Sequence, residues 1–421
     1  MKSFIKCLLC LSIVLSLILN TGCKKSNDNP DREADVDKGI EVLVPQTENN
    51  SNLVAVNIKE AQISPTEEKN LWSYKYLNDD EKRVYRIMLT MVKNLSEGWA
   101  NMGYLGKDSS VTVAKAYRAL ANDFPEYYWM PSSYYINLSS GKTSISFKKN
   151  DAQNCYGYTA EEVDSNAEEF SDAIQRIIEK TDKANTPFEK ELIIHDQLCK
   201  YVIYDSEFEG QVESDLYSAF GALVYGRAVC EGYARAFKLL CKYAGIECIL
   251  ITGDSKGVGH MWNMVNIENN WYHIDVTWDD LRAEPLHTYF NVTELFIRAD
   301  HDIDISYSSA DYTLIAQGNS YNFFVPKATA TSLNYYRKNG LVLGENGVEA
   351  FSGALISAYE KGDTYAEMLF ENSDYQRDFK ENYEDYVVEI QQTIIDKMGK
   401  MKFKLQTISF PSGTCVIYFK S

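Results

Sequence analysis

No basic face is visible in this chain. Its 421 residues carry 42 lysines and arginines against 60 aspartates and glutamates, a formal charge of −18. Nucleic-acid binding normally needs a stripe of positive charge to meet the phosphates, so that class is set aside. Binding to anionic lipid through a basic surface is disfavoured on the same ground. A CxxC pair is also missing, and the nine cysteines show no Cys/His spacing of the kind that holds zinc. Neither a metal nor a cofactor is therefore expected. The apolar run from Leu8 to Leu19 is too short for a membrane-spanning helix.

What is present is ordinary globular material, 45% apolar and 24% charged, in a chain long enough for more than one domain. Tyrosine is abundant, at 30 residues. Its apolar ring and polar tip suit a wet groove, although background composition explains it equally well. Three cysteines, at 7, 10 and 23, fall in or just after the apolar run, leaving six in the body. Cys241 and Cys248 could approach each other across a helix–strand junction, or serve as small buried apolar residues.

Lys2 and Lys6 followed by the apolar run read as an export signal over residues 1–22. It ends at Asn20-Thr21-Gly22-Cys23, small residues before a cysteine, which resembles the bacterial lipoprotein processing box. That resemblance implies that Cys23 is the lipid anchor and that the protein is exported and held on the extracytoplasmic face of a membrane. The alternative is an ordinary cleaved signal with an incidental cysteine. Residues 23–65 lack a sustained apolar period and read as a disordered tether, spanning roughly 35 Å root-mean-square for about 40 flexible residues.

Residues 66–150 read as a mainly helical N-terminal domain. Asn78 with Glu81 forms a capping pair ahead of Val84, Ile87, Met88, Met91, Val92 and Leu95 at helical spacing. A second helix is expected over Val111 to Ala121, and a hairpin from Tyr134–Leu138 and Thr143–Phe147 around Ser139-Ser140-Gly141. The cluster Tyr127, Tyr128, Trp129, Tyr134 and Tyr135 could line a groove or pack in a core. Two further helices are announced by Thr159 with Glu162 and by Thr186-Pro187 with Glu189. His195 lies within the second of these and reads as a packing histidine.

The chemistry gathers in three separated blocks. Val229-Cys230-Glu231-Gly232-Tyr233 opens a helix that Gly245 ends. A thiol at a helix N-terminus meets unpaired N–H groups and the positive dipole end, which favour thiolate over thiol and can hold an oxyanion. His260-Met261-Trp262-Asn263 and Trp271-Tyr272-His273-Ile274-Asp275-Val276-Thr277-Trp278 follow as two strands of a hairpin, running His260–Ile267 and Asn270–Trp278. A turn at Glu268-Asn269 makes His260 and Asp275 diagonal neighbours about 7–8 Å apart along the backbone. A turn at Asn269-Asn270 puts them roughly 13 Å out of step, and either turn is open to asparagine. In the first register His260 deprotonates Cys230 or forms an ion pair with it, and Asp275 fixes the imidazole. Attack on an amide carbonyl then gives a thioester, released to water or to an amine. His273 is a rival base, with a secondary role favoured.

These blocks together resemble the transglutaminase-like superfamily, over about 155 to 300. The resemblance implies an α+β, papain-like core, in which a helix bearing the nucleophilic cysteine packs on an antiparallel sheet. It implies Cys230, His260 and Asp275 as catalytic residues, with Trp262 and Tyr233 as substrate contacts. Gly232, Trp271 and Asp279 also fit its pattern. The core is expected over 151–310, its segment from Asp279 to about Asp304 closing the site, with a small α+β C-terminal domain over 320–421. That domain is expected to hold a helix over Val348–Glu360, a strand over Thr364–Phe370, one long helix over Tyr375–Met398 and a terminal hairpin. Nothing resembles the calcium-dependent, multi-sandwich animal enzymes of that superfamily. The expected function is a surface-anchored cysteine enzyme acting on amide bonds of peptides or proteins, as hydrolase or acyl transferase. The alternative is an inactive binding or scaffold lipoprotein.

Overall fold

In the computed structural model, residues 55–420 are described, except for short stretches at 132–133, 140, 150–152, 155–156, 208–209, 211–212, 281–284, 305–321, 345–346 and 410–412. The export segment, Cys23 and all but the end of the tether lie outside the described residues. The described chain divides into two compact units. One runs up to Pro285 and includes Val292–Thr329; the other joins Leu286–Asn291 to Ala330–Ser421.

The first unit begins with helices α1 (Asp79–Lys93) and α2 (Ser109–Asp123). Asn78 and Glu81 satisfy each other's backbone N–H at the start of α1, a reciprocal cap contributing about 1 kcal/mol. Glu81 also meets Lys115 of α2 in a buried pair at 2.6 Å. Strands β1 (Ala100–Gly103), β2 (Tyr135–Ser139) and β3 (Lys142–Ser146) form an antiparallel sheet in the order β1-β3-β2. The expected aromatic groove divides. Trp129 donates its indole N–H to Val92 and Tyr134 packs in the core against Tyr117, while Tyr127 and Tyr128 line a cleft with Tyr117, Phe124, Glu231 and Arg235. Arg235 spans that cleft and donates to the Ala121 carbonyl, which ties α2 to the central helix of the core.

Helices α3 (Ala160–Thr181), α4 (Pro187–Tyr201) and α5 (Cys230–Ala244) follow. Thr159 and Thr186 cap the first two through Glu162 and Glu189. Strands β4 (Glu247–Ser255), β5 (Val258–Ile267), β6 (Asn270–Ile274) and β7 (His301–Ile303) form one antiparallel sheet, ordered β6-β5-β4-β7. Helix α5 lies across β4 and β5, and Asn263 of β5 pins it by donating to the Ala234 carbonyl at 3.0 Å. Gly253 lets β7 pair here, because a Cβ at this position would stand 2.0 Å from the Asp302 carbonyl oxygen.

The second unit is a four-stranded sheet packed with helices. Its strands are β8 (Val342–Leu343), β9 (Tyr365–Phe370), β10 (Lys404–Ser409) and β11 (Thr414–Lys420), in the order β8-β9-β11-β10. Helix α7 (Gly347–Lys361), next in chain order after the one-turn α6 (Val276–Asp279), leads into β9. The single long helix expected over Tyr375–Met398 is two, α8 (Ser373–Glu381) and α9 (Tyr383–Met398). Asn382 breaks it by turning its side-chain amide back onto the Asp378 carbonyl and carboxylate, a local bond that competes with the helix ladder. Within this unit, buried His287 donates its backbone N–H to Glu367, its ring bonds to the same carboxylate, and Tyr336 donates to it as well.

Candidate active site

Cys230 is the first residue of α5, and the chain before it explains why the helix starts there. Val229 is extended, and its N–H is taken by the Leu216 carbonyl. Valine has no side-chain oxygen and gives no side-chain cap, so it leaves the amides of the first turn to whatever sits above the sulfur. Gly232 is required in that turn: a Cβ would lie 2.6 Å from that of Ala228 and 2.9 Å from the Leu216 carbonyl oxygen. The sulfur itself is deeply set, with Cys230 only 2% exposed.

The hairpin turns at Glu268-Asn269. Both residues are left-handed, with φ of 55° and 61°, as a two-residue turn of matching twist requires. The register runs from Ile267 opposite Asn270 to Asn263 opposite Ile274. The strand expected to reach Trp278 stops at Ile274. Asp275 leaves the sheet and caps the one-turn helix α6 (Val276–Asp279), its Oδ1 accepting from the N–H groups of Thr277 and Trp278. An aspartate that can bond the backbone two and three residues ahead ends a strand in favour of a turn. The other oxygen, Oδ2, lies 2.6 Å from Nε2 of His260. The Cys230 sulfur lies close enough for its charge to act on this ring, and Nδ1 is the ring nitrogen that Asp275 leaves open.

A second histidine shares that carboxylate. Nε2 of His301, on β7, is 3.1 Å from Oδ2 of Asp275, and its Nδ1 is 2.7 Å from Asp300. Sequence reasoning placed this stretch over the site but missed His301. Its approach depends on β7 pairing with β4, a long-range contact that no local spacing announces. The one available signal was a histidine in a chain with only 5. Donor atoms of His260, Asp275 and His301 lie within 4.8 Å of one another, the imidazoles bonded to the carboxylate oxygen as a hydrogen-bonded chain.

Charge in this cluster is set by competition. Burial opposes a proton on His260, but Asp275 and the Cys230 sulfur outweigh it, and the ring holds its proton well above the usual histidine range. Burial likewise opposes the Asp275 carboxylate, and the two imidazoles hold it well below the usual carboxyl range. His273 goes the other way. Burial, with the charges of Arg298 and His301, pushes it down to about 3, so it is a neutral ring whose Nδ1 accepts the indole N–H of Trp262 at 3.1 Å. Trp262 in turn stacks on His260, centroids 5.8 Å apart. His273 thus sits behind the site and steadies the tryptophan.

Both expected substrate contacts are buried. Tyr233 is fully buried and its hydroxyl donates to Asp280 at 2.6 Å, while Trp262 is buried between His260 and His273. Their polar tips find partners there, half-buried Asp280 and buried His273, so both shape the site from within. His195 is buried with its two ring nitrogens on Asp196 and Asp279, which occupies it and also explains the aspartate at 279. Cys199, Cys230, Cys241, Cys248 and Cys415 are all buried free thiols. Burial pushes the Cys199, Cys241 and Cys415 thiols upward, with the neighbouring Cys248 thiol adding to the shift at Cys241.

Residues 173–276 match the family model described as the transglutaminase-like superfamily, a span that contains Cys230, His260 and Asp275. Among curated proteins, the kyphoscoliosis peptidase of Mus musculus is 29% identical over 108 residues, 23% of this chain and 16% of that protein. The Lim and transglutaminase domain protein of Caenorhabditis elegans is 29% identical over 84 residues, 17% of this chain and 11% of that protein. The chain therefore spans less than a fifth of the length of these relatives. Among solved structures, one described as a TGase is 13% identical, covering 46% of this chain and 56% of its own at a TM-score of 0.28.

Proposed function

We propose, from the match of residues 173–276 to the transglutaminase-like superfamily, that this protein is a cysteine enzyme acting on amide bonds of peptides or proteins. The observation that carries the reading is one chain of contacts. His260 is bonded at 2.6 Å to a buried aspartate, and its ring lies within electrostatic reach of a cysteine at a helix start. In this reading His260 takes the Cys230 proton, and the thiolate attacks the carbonyl carbon. The uncapped amides of the first turn of α5 meet the oxyanion. The imidazolium then gives its proton to the departing amine, which leaves a thioester on Cys230. His260 next deprotonates water or an acceptor amine, and that nucleophile releases the acyl group. Asp275 holds the ring throughout and offsets its charge.

The burial of Cys230 favours a second reading, in which the domain is kept as a binding or scaffold unit. A small thiol-directed electrophile separates the two. Iodoacetamide should label Cys230 ahead of Cys199, Cys241, Cys248 and Cys415, and His260→Ala should slow that labelling. Slow, even labelling of every thiol would sink the enzyme reading. Incubation with a glutamine-containing protein and a labelled amine then divides transfer from hydrolysis: incorporation that Cys230→Ala abolishes supports transfer, and peptide release without incorporation supports hydrolysis.

We further propose that the protein is exported and anchored through a lipid on Cys23, which would present the site to envelope or extracellular proteins. The supporting observation is the order Lys2, Lys6, the apolar run and Cys23. Metabolic labelling with a fatty acid, lost in Cys23→Ser, tests it; equal labelling of the two proteins would overturn it.

A further inference from the structure

Two imidazoles converge on a single oxygen of Asp275, and the proposed mechanism uses only one of them. His301 is fully buried and walled in, with the rings of Trp262 and Trp278 at 5.1 and 5.0 Å and that of His260 at 5.4 Å. Its position is fixed by the backbone: His301 pairs with Ser255 of β4, and the Ser255 hydroxyl holds the carbonyl of Asp300. Among the described residues, the charged and titratable groups around the ring include Asp275, Asp300 and His260, with Lys256 on the Trp278 ring and His273 behind Trp262.

The two ring nitrogens of His301 face carboxylates, Nε2 toward Asp275 at 3.1 Å and Nδ1 toward Asp300 at 2.7 Å. A neutral imidazole has one N–H and one lone pair, so one of these contacts would set a lone pair against a negative oxygen. Only the imidazolium donates to both. We propose that His301 is a fourth member of the site, a positioning residue whose second hydrogen bond to Asp275 sets how tightly that carboxylate can hold the His260 imidazolium. This rests on the cysteine-enzyme reading above. Consistent with the geometry, burial works against a proton on His301, but Asp275 and Asp300 together raise its affinity for one. Asp275 then lies between two cations and lends only part of its field to His260. Removing the outer cation would give His260 the whole carboxylate and would deprive the thiolate of a nearby positive charge. A lost cation makes the remaining protons of the cluster harder to remove.

The test needs no substrate. Iodoacetamide alkylation of Cys230 in the intact chain is followed by peptide mass spectrometry across about pH 4 to 10, a range that brackets histidine and thiol titration. His301→Gln keeps an N–H for Asp275 but carries no charge. His301→Phe removes both. The expected result is a profile displaced to higher pH by roughly 0.5 to 1 unit in the two variants, so that the rate below the midpoint falls about three- to tenfold. At its plateau His301→Gln should match the wild type, and His301→Phe should fall below it as the carboxylate loses its second donor. A His301→Gln profile that superimposes on the wild type, in protein whose circular dichroism is unchanged, overturns the inference. Failure of the underlying reading looks different: the wild-type Cys230 would then react no faster than the other thiols at any pH.

Discussion

Nε2 of His260 and Oδ2 of Asp275 lie 2.6 Å apart although 15 residues separate them along the chain. Their contact depends on a hairpin that turns at Glu268-Asn269 and on an aspartate that leaves its strand at the right moment. Each of those conditions can be broken separately.

Asp275→Asn should be more damaging than its small change in shape suggests. Oδ1 accepts from two backbone N–H groups and Oδ2 faces two imidazole nitrogens. An amide has one accepting end and one donating end, so either orientation aims its NH2 at donors. Labelling of Cys230 should fall by about 10²- to 10⁴-fold, the scale on which a triad aspartate matters, and the melting temperature should drop with it. A variant that labels at the wild-type rate would show that the carboxylate charge is not used.

Stability should depend on pH with two opposite signs. His260 and His301 are raised, so their contribution is full below about pH 6.5 and is lost as pH rises through their folded values. Asp275 is depressed, so its contribution is full above about pH 3.9 and is lost as pH falls further. His273 is held neutral down to about 3. The unfolded chain binds that proton from about pH 6.5 downward, and the folded protein is penalised over the interval by a few kcal/mol. His273→Phe removes this penalty, and with it the hydrogen bond to Trp262. Thermal melts of the two proteins should therefore converge as pH falls from 7 toward 4. A constant gap between them would contradict the assignment of His273 as neutral.

The turn can be improved without touching the chemistry. Glu268 adopts a left-handed backbone that suits asparagine far better. Glu268→Asn combined with Asn269→Gly should stabilise the protein by about 1 kcal/mol and leave Cys230 labelling unchanged. Inserting one residue between positions 268 and 269 should abolish labelling selectivity, because a one-residue slip turns every side chain of the strand to the other face. Chemical denaturation and the alkylation assay read the two outcomes.

Gly253→Ala should loosen β7. Its Cβ would meet the Asp302 carbonyl oxygen at 2.0 Å and the Trp262 ring at 2.8 Å, so the backbone must move, at a cost of about 1–3 kcal/mol. The strand that moves carries His301, so the pH profile of Cys230 alkylation should shift in the same direction as in His301→Gln. A stability loss with an unmoved profile would separate β7 from the site.

Much of this architecture is legible in local chemistry. Asn78, Thr159 and Thr186 each find a glutamate three residues on, and each begins a helix in the structure. Gly245 ends α5 in the left-handed conformation only glycine adopts freely. The hairpin is legible too, though its turn is not, since two asparagines follow Glu268 and either pair can bend the chain. What escapes the sequence is decided by competition or by distance. Asp275 ends β6 because its own side chain takes the amides that would have continued the strand. Asn382 does the same to a helix. His301 reaches the site through strand pairing with β4, and the inward turn of Tyr233 depends on Asp280, 47 residues away.

The six residues from Leu286 to Asn291 have a consequence for dissecting the molecule. In sequence they interrupt the first unit yet belong to the other, where His287 meets the buried carboxylate of Glu367. The C-terminal unit is therefore not a detachable cassette. A fragment cut at any single point ahead of Ala330 but after Asn291 loses the imidazole that faces Glu367. A swap of that unit between homologues must carry this remote hexapeptide along with it.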